Sequence, residues 1–342
     1  MKVSQTLAIL LLSFPVFSQT PISGVINQYA KVLEINACEG KLTLSGSASQ
    51  FAEGDPVVLI QMKGATINAS NSGNFGNIED LGGAGVFERN EVKNVSGSQL
   101  WLKNVVSENF DASGSVQLVS LPKFTDAVVT DTLTAAPWNG STGGVLAIEV
   151  ENTLTLEAPL DVSGKGFRGG NISVVTSDCS FLSNADDYFY SPTNWRGSPK
   201  GEGVAAFLPG KEHGRGAQAN GGGGGNDHNS GGGGGGSPSG AGGIGGKQKG
   251  SSTFGCTGDY PGRGGKALPD LPGRIFLGGG GGAGHVDDDG AGSAGCNGGG
   301  IILLLAKNIE ANGQAILANG VSPTLAIGDG AGVSRGLIQA SA

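Results

Sequence analysis

The chain has 342 residues, of which 66 are glycine, and only 15% of its residues are charged. Its net charge of −8 is unfavourable for nucleic acid and for anionic membrane surfaces, because both need basic patches. After the N-terminal segment, no stretch stays apolar for the roughly 18 residues that a membrane-spanning helix needs. We therefore predict no nucleic-acid partner and no membrane span.

The first 18 residues have the features of a secretory signal peptide. Lys2 provides the positive charge, and residues 6–17 form an apolar segment that is short for a membrane span. Residues 16–18 fit a signal-peptidase site, so we expect the mature chain to begin at Gln19. This predicts a secreted protein or one held at the outer surface of the cell.

Residues 19–135 are predicted to form an ordinary β domain. Short runs rich in β-branched and apolar residues are separated by turn residues, such as the EGDP at residues 53–56. The predicted strands are KVLEIN, KLTLSG, PVVLIQM, QLWLKNV and SVQLVSLP. No window after the signal peptide keeps a helical period for more than two turns, so the mature chain is predicted to be all-β.

An internal repeat follows this domain. Residues 143–164 and 299–320 align without gaps at an offset of 156 residues, and each reads as strand, turn, strand with glycine at both ends. One such unit cannot bury its apolar face alone. We therefore expect the two copies to stack on each other as β-solenoid or sandwich-like repeats, with the chain between them projecting as an insertion.

The insertion contains three glycine runs of nearly equal length, residues 221–225, 231–236 and 278–282. Equal rods without Cβ atoms can pack side by side and exchange backbone hydrogen bonds, which predicts a polyglycine-II helix bundle. The alternative is a disordered spacer, but a spacer has no use for the apolar residues 275–277. The predicted divisions are a signal peptide (1–18), an N-terminal β domain (19–135), a first β repeat (136–175), the polyglycine-II insertion (176–298) and a second, truncated β repeat (299–342).

The four cysteines can form disulfides if the chain is exported, because disulfides form outside the cytoplasm. We expect Cys179 to pair with Cys256, since both flank the glycine-rich segment. The pairing of Cys38 and Cys296 stays open. None of the four has zinc or redox spacing.

The only candidate metal site combines histidines with an aspartate run. Its residues are Asp227, His228, His285, Asp287 and Asp289. Carboxylate oxygens are ligands that Ca²⁺ prefers, so Ca²⁺ is the cofactor that this set would hold. We favour the simpler interpretation, in which these side chains cap turns through hydrogen bonds to the backbone, and we predict no cofactor.

An aromatic cluster between residues 179 and 195 is the candidate binding surface. Tyr188, Tyr190 and Trp195 suit a platform on which a sugar ring stacks. The competing interpretation, which we favour, is a structural cover over a face that glycine cannot seal.

Several motifs together resemble one class of protein. They include FAEGDPVVLIQMKGATIN, WNGSTGGVLAIEV, LDVSGKGFRGG, RIFLGGGGGAGH and NGGGIILLLAKNIEANGQAILANG. They resemble large secreted surface proteins of the Bacteroidetes that end in a type IX secretion sorting domain or a gliding-motility-associated C-terminal domain. After residue 332 the sequence departs from that pattern, because no sorting domain follows.

The resemblance implies an exported, adhesin-like, non-catalytic protein, but it implies no known ligand. We expect the partner to be an extracellular ligand of a kind that includes glycans and surface polymers. Two other functions remain open at this stage. One is a purely structural matrix or spacer protein. The other is a β-solenoid carbohydrate-active enzyme, which would need paired carboxylates across a cleft.

Overall fold

The computed structural model describes residues 19–172, 187–226, 233–236, 240–246, 260–285 and 293–321. Within these ranges the chain is all-β, and its helical elements are two 3-10 turns, Ala37–Glu39 and Ala112–Gly114. No helix in these ranges is long and apolar enough to cross a membrane. The predicted signal peptide lies outside the described residues.

The strands are numbered in chain order. They are β1 (Thr20–Val25), β2 (Tyr29–Asn36), β3 (Lys41–Leu44), β4 (Pro56–Gln61), β5 (Thr66–Ile67), β6 (Ile78–Asp80), β7 (Phe87–Ser96), β8 (Gln99–Leu102), β9 (Val116–Ser120), β10 (Lys123–Phe124), β11 (Ala127–Thr134), β12 (Val145–Leu156), β13 (Leu160–Asp161), β14 (Ile301–Glu310) and β15 (Ile316–Leu317). They form a closed barrel, a mainly parallel sheet, and a two-stranded pair of β5 with β6.

The barrel consists of six antiparallel strands in the order β2-β3-β8-β7-β4-β9. Buried and less buried positions alternate along β3 and β8, as a strand with one face in a core requires. The interior includes Val32, Leu42, Leu44, Leu100 and Leu118. The five strand predictions are confirmed, since they fall on β2, β3, β4, β8 and β9.

The second sheet is parallel and contains both repeat copies. Val145 of β12 pairs with Ile301 of β14, and Leu160 of β13 pairs with Ile316 of β15. Both pairs have the offset of the sequence repeat, so the expectation that the copies stack is confirmed. β11 pairs with β12 on one side and β1 on the other, so residues before position 135 also join this sheet.

The predicted polyglycine-II helix bundle is wrong. The architecture is a closed six-stranded barrel with a parallel sheet, and the described glycine runs form no helix bundle. The physical reason lies in the hydrogen-bond partners. Among the described residues of the runs, one bond links each pair: Gly222 N to Gly280 O, Gly234 N to Gly223 O, and Gly282 N to Gly234 O. The neighbouring amides donate to carbonyls outside the runs instead, for example those of Glu202, Gly214, Arg263 and Cys296.

One apolar core joins the barrel, the parallel sheet and the glycine-rich segment. It contains Ile60 of β4, Ala147 of β12, Leu303 of β14 and the buried residues 275–277. These last three residues are packed, as the argument against a spacer required. This shared core fixes the glycine-rich segment against the strands, and that segment carries the candidate site.

Candidate functional site

A cluster of hydrogen-bonded residues marks one part of the glycine-rich region, and we call it the anchoring cluster: Asp187, Trp195, Asn226, Tyr260 and His285. The Asn226 side-chain amide donates to the Asp187 carbonyl at 2.8 Å, and its backbone N–H donates to the Tyr260 carbonyl at 3.1 Å. His285 Nε2 lies 2.9 Å from the Trp195 carbonyl. Asn226 and His285 are fully buried, so these polar contacts are shielded from water.

The position of the anchoring cluster in the chain gives it functional interest. Asp187, Asn226, Tyr260 and His285 each adjoin a different segment outside the described residues. Those segments are 173–186, 227–232, 247–259 and 286–292. Four polar parts of the sequence therefore begin or end beside these hydrogen bonds, and the bond from Gly225 N to Ala283 O connects the segment of Asn226 to that of His285.

A network of glycine backbone supports this cluster. Gly224 N donates to Gly214 O at 3.0 Å, and Gly225 N donates to Ala283 O at 2.9 Å. Ser198 N donates back to Gly225 O at 2.8 Å. Each bond contributes roughly 1 kcal/mol net, so the region is held by many small backbone contributions in addition to its apolar core.

The three residues of the predicted aromatic platform differ in their exposure to solvent. Tyr190 is only 6% exposed and exchanges two backbone hydrogen bonds with His213. Tyr188 is half-buried, and the Arg215 guanidinium lies 5.4 Å from its ring centre. Trp195 is also half-buried, with Arg196 5.7 Å from its ring centre. Tyr190 thus packs inside the region, while Tyr188 and Trp195 keep part of their surface accessible.

The candidate metal and disulfide residues are mostly beyond the described ranges. Asp227, His228, Asp287, Asp289, Cys179 and Cys256 all lie outside them. His285 is described, and its ring contacts the Trp195 carbonyl. In the described parts of the chain, no three His, Cys, Asp or Glu side chains come close enough to hold a metal ion. Cys38 is exposed there and forms no disulfide.

A buried charge network that the sequence analysis did not identify lies next to the glycine backbone. One oxygen of Glu202 accepts hydrogen bonds from Trp138 Nε1, Arg168 Nε and the Arg168 backbone N–H, each at 3.1 Å. The other accepts from Arg168 Nη2 at 2.8 Å, and Lys63 Nζ lies 3.4 Å away. Burial alone would raise the pKa of Glu202, but the hydrogen bonds and positive charges outweigh it and lower that pKa.

Lys200 is a second buried charge in the same region. It is 2% exposed, and its Nζ donates to the carbonyls of Tyr188, Gly214 and Gly216 at 2.7–2.8 Å. Phe75 lies below the ammonium, 4.7 Å from Nζ to the ring centre. Burial lowers the pKa of Lys200 well below its ordinary value. The amine therefore ties the segment of Lys200 to two others, residues 214–216 and the segment of Tyr188, which adjoins Asp187 of the anchoring cluster.

The sequence carried a weak signal for these two residues. Lys200 and Glu202 stand in SPKGEGV, between glycines in a chain with few charges. Isolated charges beside glycine are usually solvated, so the pattern alone does not predict burial. Their partners, Lys63, Trp138 and Arg168, are distant in sequence and are brought together only by the fold.

We expect Lys200→Met to lower the free energy of unfolding by about 1–2 kcal/mol. The Gly216 carbonyl loses its donor, whereas the Tyr188 and Gly214 carbonyls keep backbone partners, Gly216 N and Gly224 N. Removing a buried charge offsets part of the loss. Urea unfolding of both proteins measures the difference.

The pH dependence of stability in wild type and Lys200→Met checks whether the pKa of Lys200 is lowered in the folded chain. The folded chain holds the Lys200 proton less tightly than the unfolded chain, whose lysine keeps its ordinary pKa of 10.5. Wild-type stability should therefore rise with pH between the two pKa values, and Lys200→Met should lack this rise. An identical slope for both proteins would contradict the lowered pKa.

The fold and the anchoring cluster together define a class of protein. It is an all-β protein with a hydrogen-bonded glycine-rich region, and several chain segments begin or end at residues of that region. Comparison of the chain with protein-family models, with curated proteins and with solved structures finds no match. Function must therefore be argued from the geometry itself.

Proposed function

We propose that this chain is a secreted or cell-surface, non-catalytic, adhesin-like protein whose glycine-rich region positions binding loops. The observation that carries the proposal is the anchoring cluster, at which four segments of the chain begin or end. Segments that share a fixed attachment point lose less conformational entropy on binding than segments that are held separately. The resemblance to Bacteroidetes surface proteins and the signal-peptide pattern support export.

The buried charges favour a structural role over catalysis. A general acid needs a raised pKa near the working pH. Glu202 has a lowered pKa, and both of its oxygens are bound by Arg168, Lys63 and Trp138. An arrangement of this kind holds segments in place, which is what a scaffold for recognition requires.

The test is binding of the purified, fluorescently labelled chain to whole bacterial cells and to a panel of immobilised polysaccharides. Asn226→Ala removes the side-chain bond to Asp187 and should weaken binding by about tenfold or more, which corresponds to about 1.4 kcal/mol. Asn94→Ala, a substitution at an exposed position on β7, is the matched control and should bind like wild type. Thermal unfolding of both variants checks that they are folded.

Two outcomes would contradict the proposal. One is equal binding by wild type and a folded Asn226→Ala variant. The other is a folded wild-type chain that binds no member of the panel. In the second case, self-assembly of the chain in solution would favour the structural matrix protein instead.

A further inference from the structure

A cleft of about 200 Å³ lies beside the buried charge network. Arg168, Asn171, Phe207, Glu212 and His213 are among its lining residues. Pro199, also in the lining, accepts a hydrogen bond from Ala283 N at 2.9 Å, two residues before His285 of the anchoring cluster. The cleft is therefore continuous with the region that the proposed function requires.

The cleft offers one aromatic side chain, a hydrogen-bond donor and a hydrogen-bond acceptor. Phe207 is half-buried, so part of its ring remains available for stacking. The Arg168 side chain is 51% exposed and is a donor. Glu212 supplies a carboxylate, and its Oε2 is buried without a hydrogen-bond partner among the described residues. A ligand hydroxyl in the cleft can donate to this carboxylate where it lines the cleft.

The charges of the cleft are close to balanced. Arg168 and Lys63 face the Glu202 carboxylate, and Glu212 adds a second negative charge. Burial lowers the pKa of His213, partly opposed by its bond to the Gly197 carbonyl, and this favours the neutral imidazole. The Lys200 ammonium adds a positive charge, which donates to three backbone carbonyls. A site without a strong net charge has no preference for an anion or a cation.

The size of the cleft limits the ligand. Sites for drug-sized molecules have volumes of about 300–1,000 Å³, so a cleft of about 200 Å³ suits a single small ring. A pyranose meets these requirements, because it can stack one face on an aromatic ring and can both donate and accept hydrogen bonds around its edge without charge.

We propose that this cleft binds one neutral sugar unit of a surface glycan, with the sugar ring stacked on Phe207 and a hydroxyl donated to Glu212. The inference rests on the proposed function and adds the ligand class to it. Sodium glucuronate, which is an anionic sugar, should bind no more tightly than the neutral sugars, because the charges of Arg168 and Glu212 offset each other in the lining of the cleft.

Saturation-transfer NMR and calorimetry with the full chain test this directly. The probes are methyl α-D-glucopyranoside, methyl β-D-galactopyranoside, N-acetyl-D-glucosamine and sodium glucuronate. We expect at least one neutral sugar to bind. Phe207→Leu should weaken that binding about five- to tenfold, and Phe207→Tyr, which keeps a ring face, should preserve it. Glu212→Gln should weaken it about tenfold, whereas Glu53→Gln, at an exposed position, should not.

The inference is overturned if none of the neutral sugars binds, if glucuronate is preferred, or if Phe207→Leu and Glu212→Gln bind like wild type. The same preparations are assayed on cells and polysaccharides. Cell binding that depends on Asn226 but has no monosaccharide counterpart would overturn the sugar site alone. Absence of any surface binding would overturn the proposed function as well.

Discussion

Replacing Glu202 with glutamine should lower the free energy of unfolding by about 3 kcal/mol at neutral pH. The Glu202 and Lys63 side chains are only 7% and 12% exposed, so the substitution leaves a buried ammonium without its counter-charge. Removing one partner of a buried ion pair costs about 3–5 kcal/mol. The matched control is Glu91→Gln, which breaks the exposed pair with Lys103 and should cost no more than about 1 kcal/mol.

The pH dependence of Glu202 has a definite sign. Its pKa is lowered in the folded chain, so its stabilising contribution is complete above the ordinary carboxyl value of about 4.5 and is lost as the pH falls through the folded-state pKa. Wild type and Glu202→Gln should therefore converge in stability on acidification. Urea unfolding from pH 7 to pH 3 measures this. Equal effects of Glu202→Gln and Glu91→Gln at pH 7 would contradict the structural role of the network.

Gly223→Ala should destabilise the chain by about 2–3 kcal/mol. A methyl group at this position would lie 2.0 Å from the Arg215 carbonyl oxygen, so backbone must move to admit it. Gly223 also donates to Arg263 O and accepts from Gly234 N, and a shift weakens both bonds. Overpacking of a tightly packed interior costs about 1–3 kcal/mol.

Gly243→Ala is the control for this substitution. Gly243 is exposed, and an added methyl group there would meet nothing within 4 Å. The control should be neutral, or stabilising by about 0.4–1 kcal/mol through the unfolded chain. If chemical denaturation gives the same result for both variants, the close backbone packing at Gly223 is not present in solution.

Most barrel strands could be predicted because apolar residues recur in short runs between turn residues. β7 was the exception. Its sequence is FERNEVKNVS, and only Asn90 and Val92 are buried along its ten residues. A strand with one buried apolar side chain has almost no period-two signal, and its pairing with β4 and β8 follows from barrel closure. The pairing of the two repeat copies was easier to predict, because equivalent residues of the copies, 156 positions apart, pair with each other in the parallel sheet.

The glycine-rich region shows where composition alone misleads. Runs of equal length indicated rods, but glycine without a Cβ can approach any backbone. The partners of Gly223 and Gly280 include Arg263 and Glu202, which lie outside the three glycine runs. The sequence does not specify those partners, so it could predict that the region folds but not how.

The candidate site was only partly accessible from the sequence. The sequence analysis named Trp195 as part of an aromatic platform and His285 as a candidate metal ligand, but it did not predict that the two would contact each other. The charge network depends on a contact between residues as far apart as Lys63 and Glu202. The cleft also depends on residues that are distant in sequence. Arg168 and Glu212 line it together only because the chain folds. No local pattern reports such distant contacts.

The central claim is that the described glycine-rich backbone is a folded, hydrogen-bonded scaffold. Amide hydrogen exchange of the native chain tests it most directly. The amides of Gly222, Gly223, Gly225 and Gly280, each bonded to a carbonyl at 2.8–2.9 Å, should exchange far more slowly than in an unstructured peptide. Exchange of these amides at random-coil rates, while the barrel strands stay protected, would contradict the account.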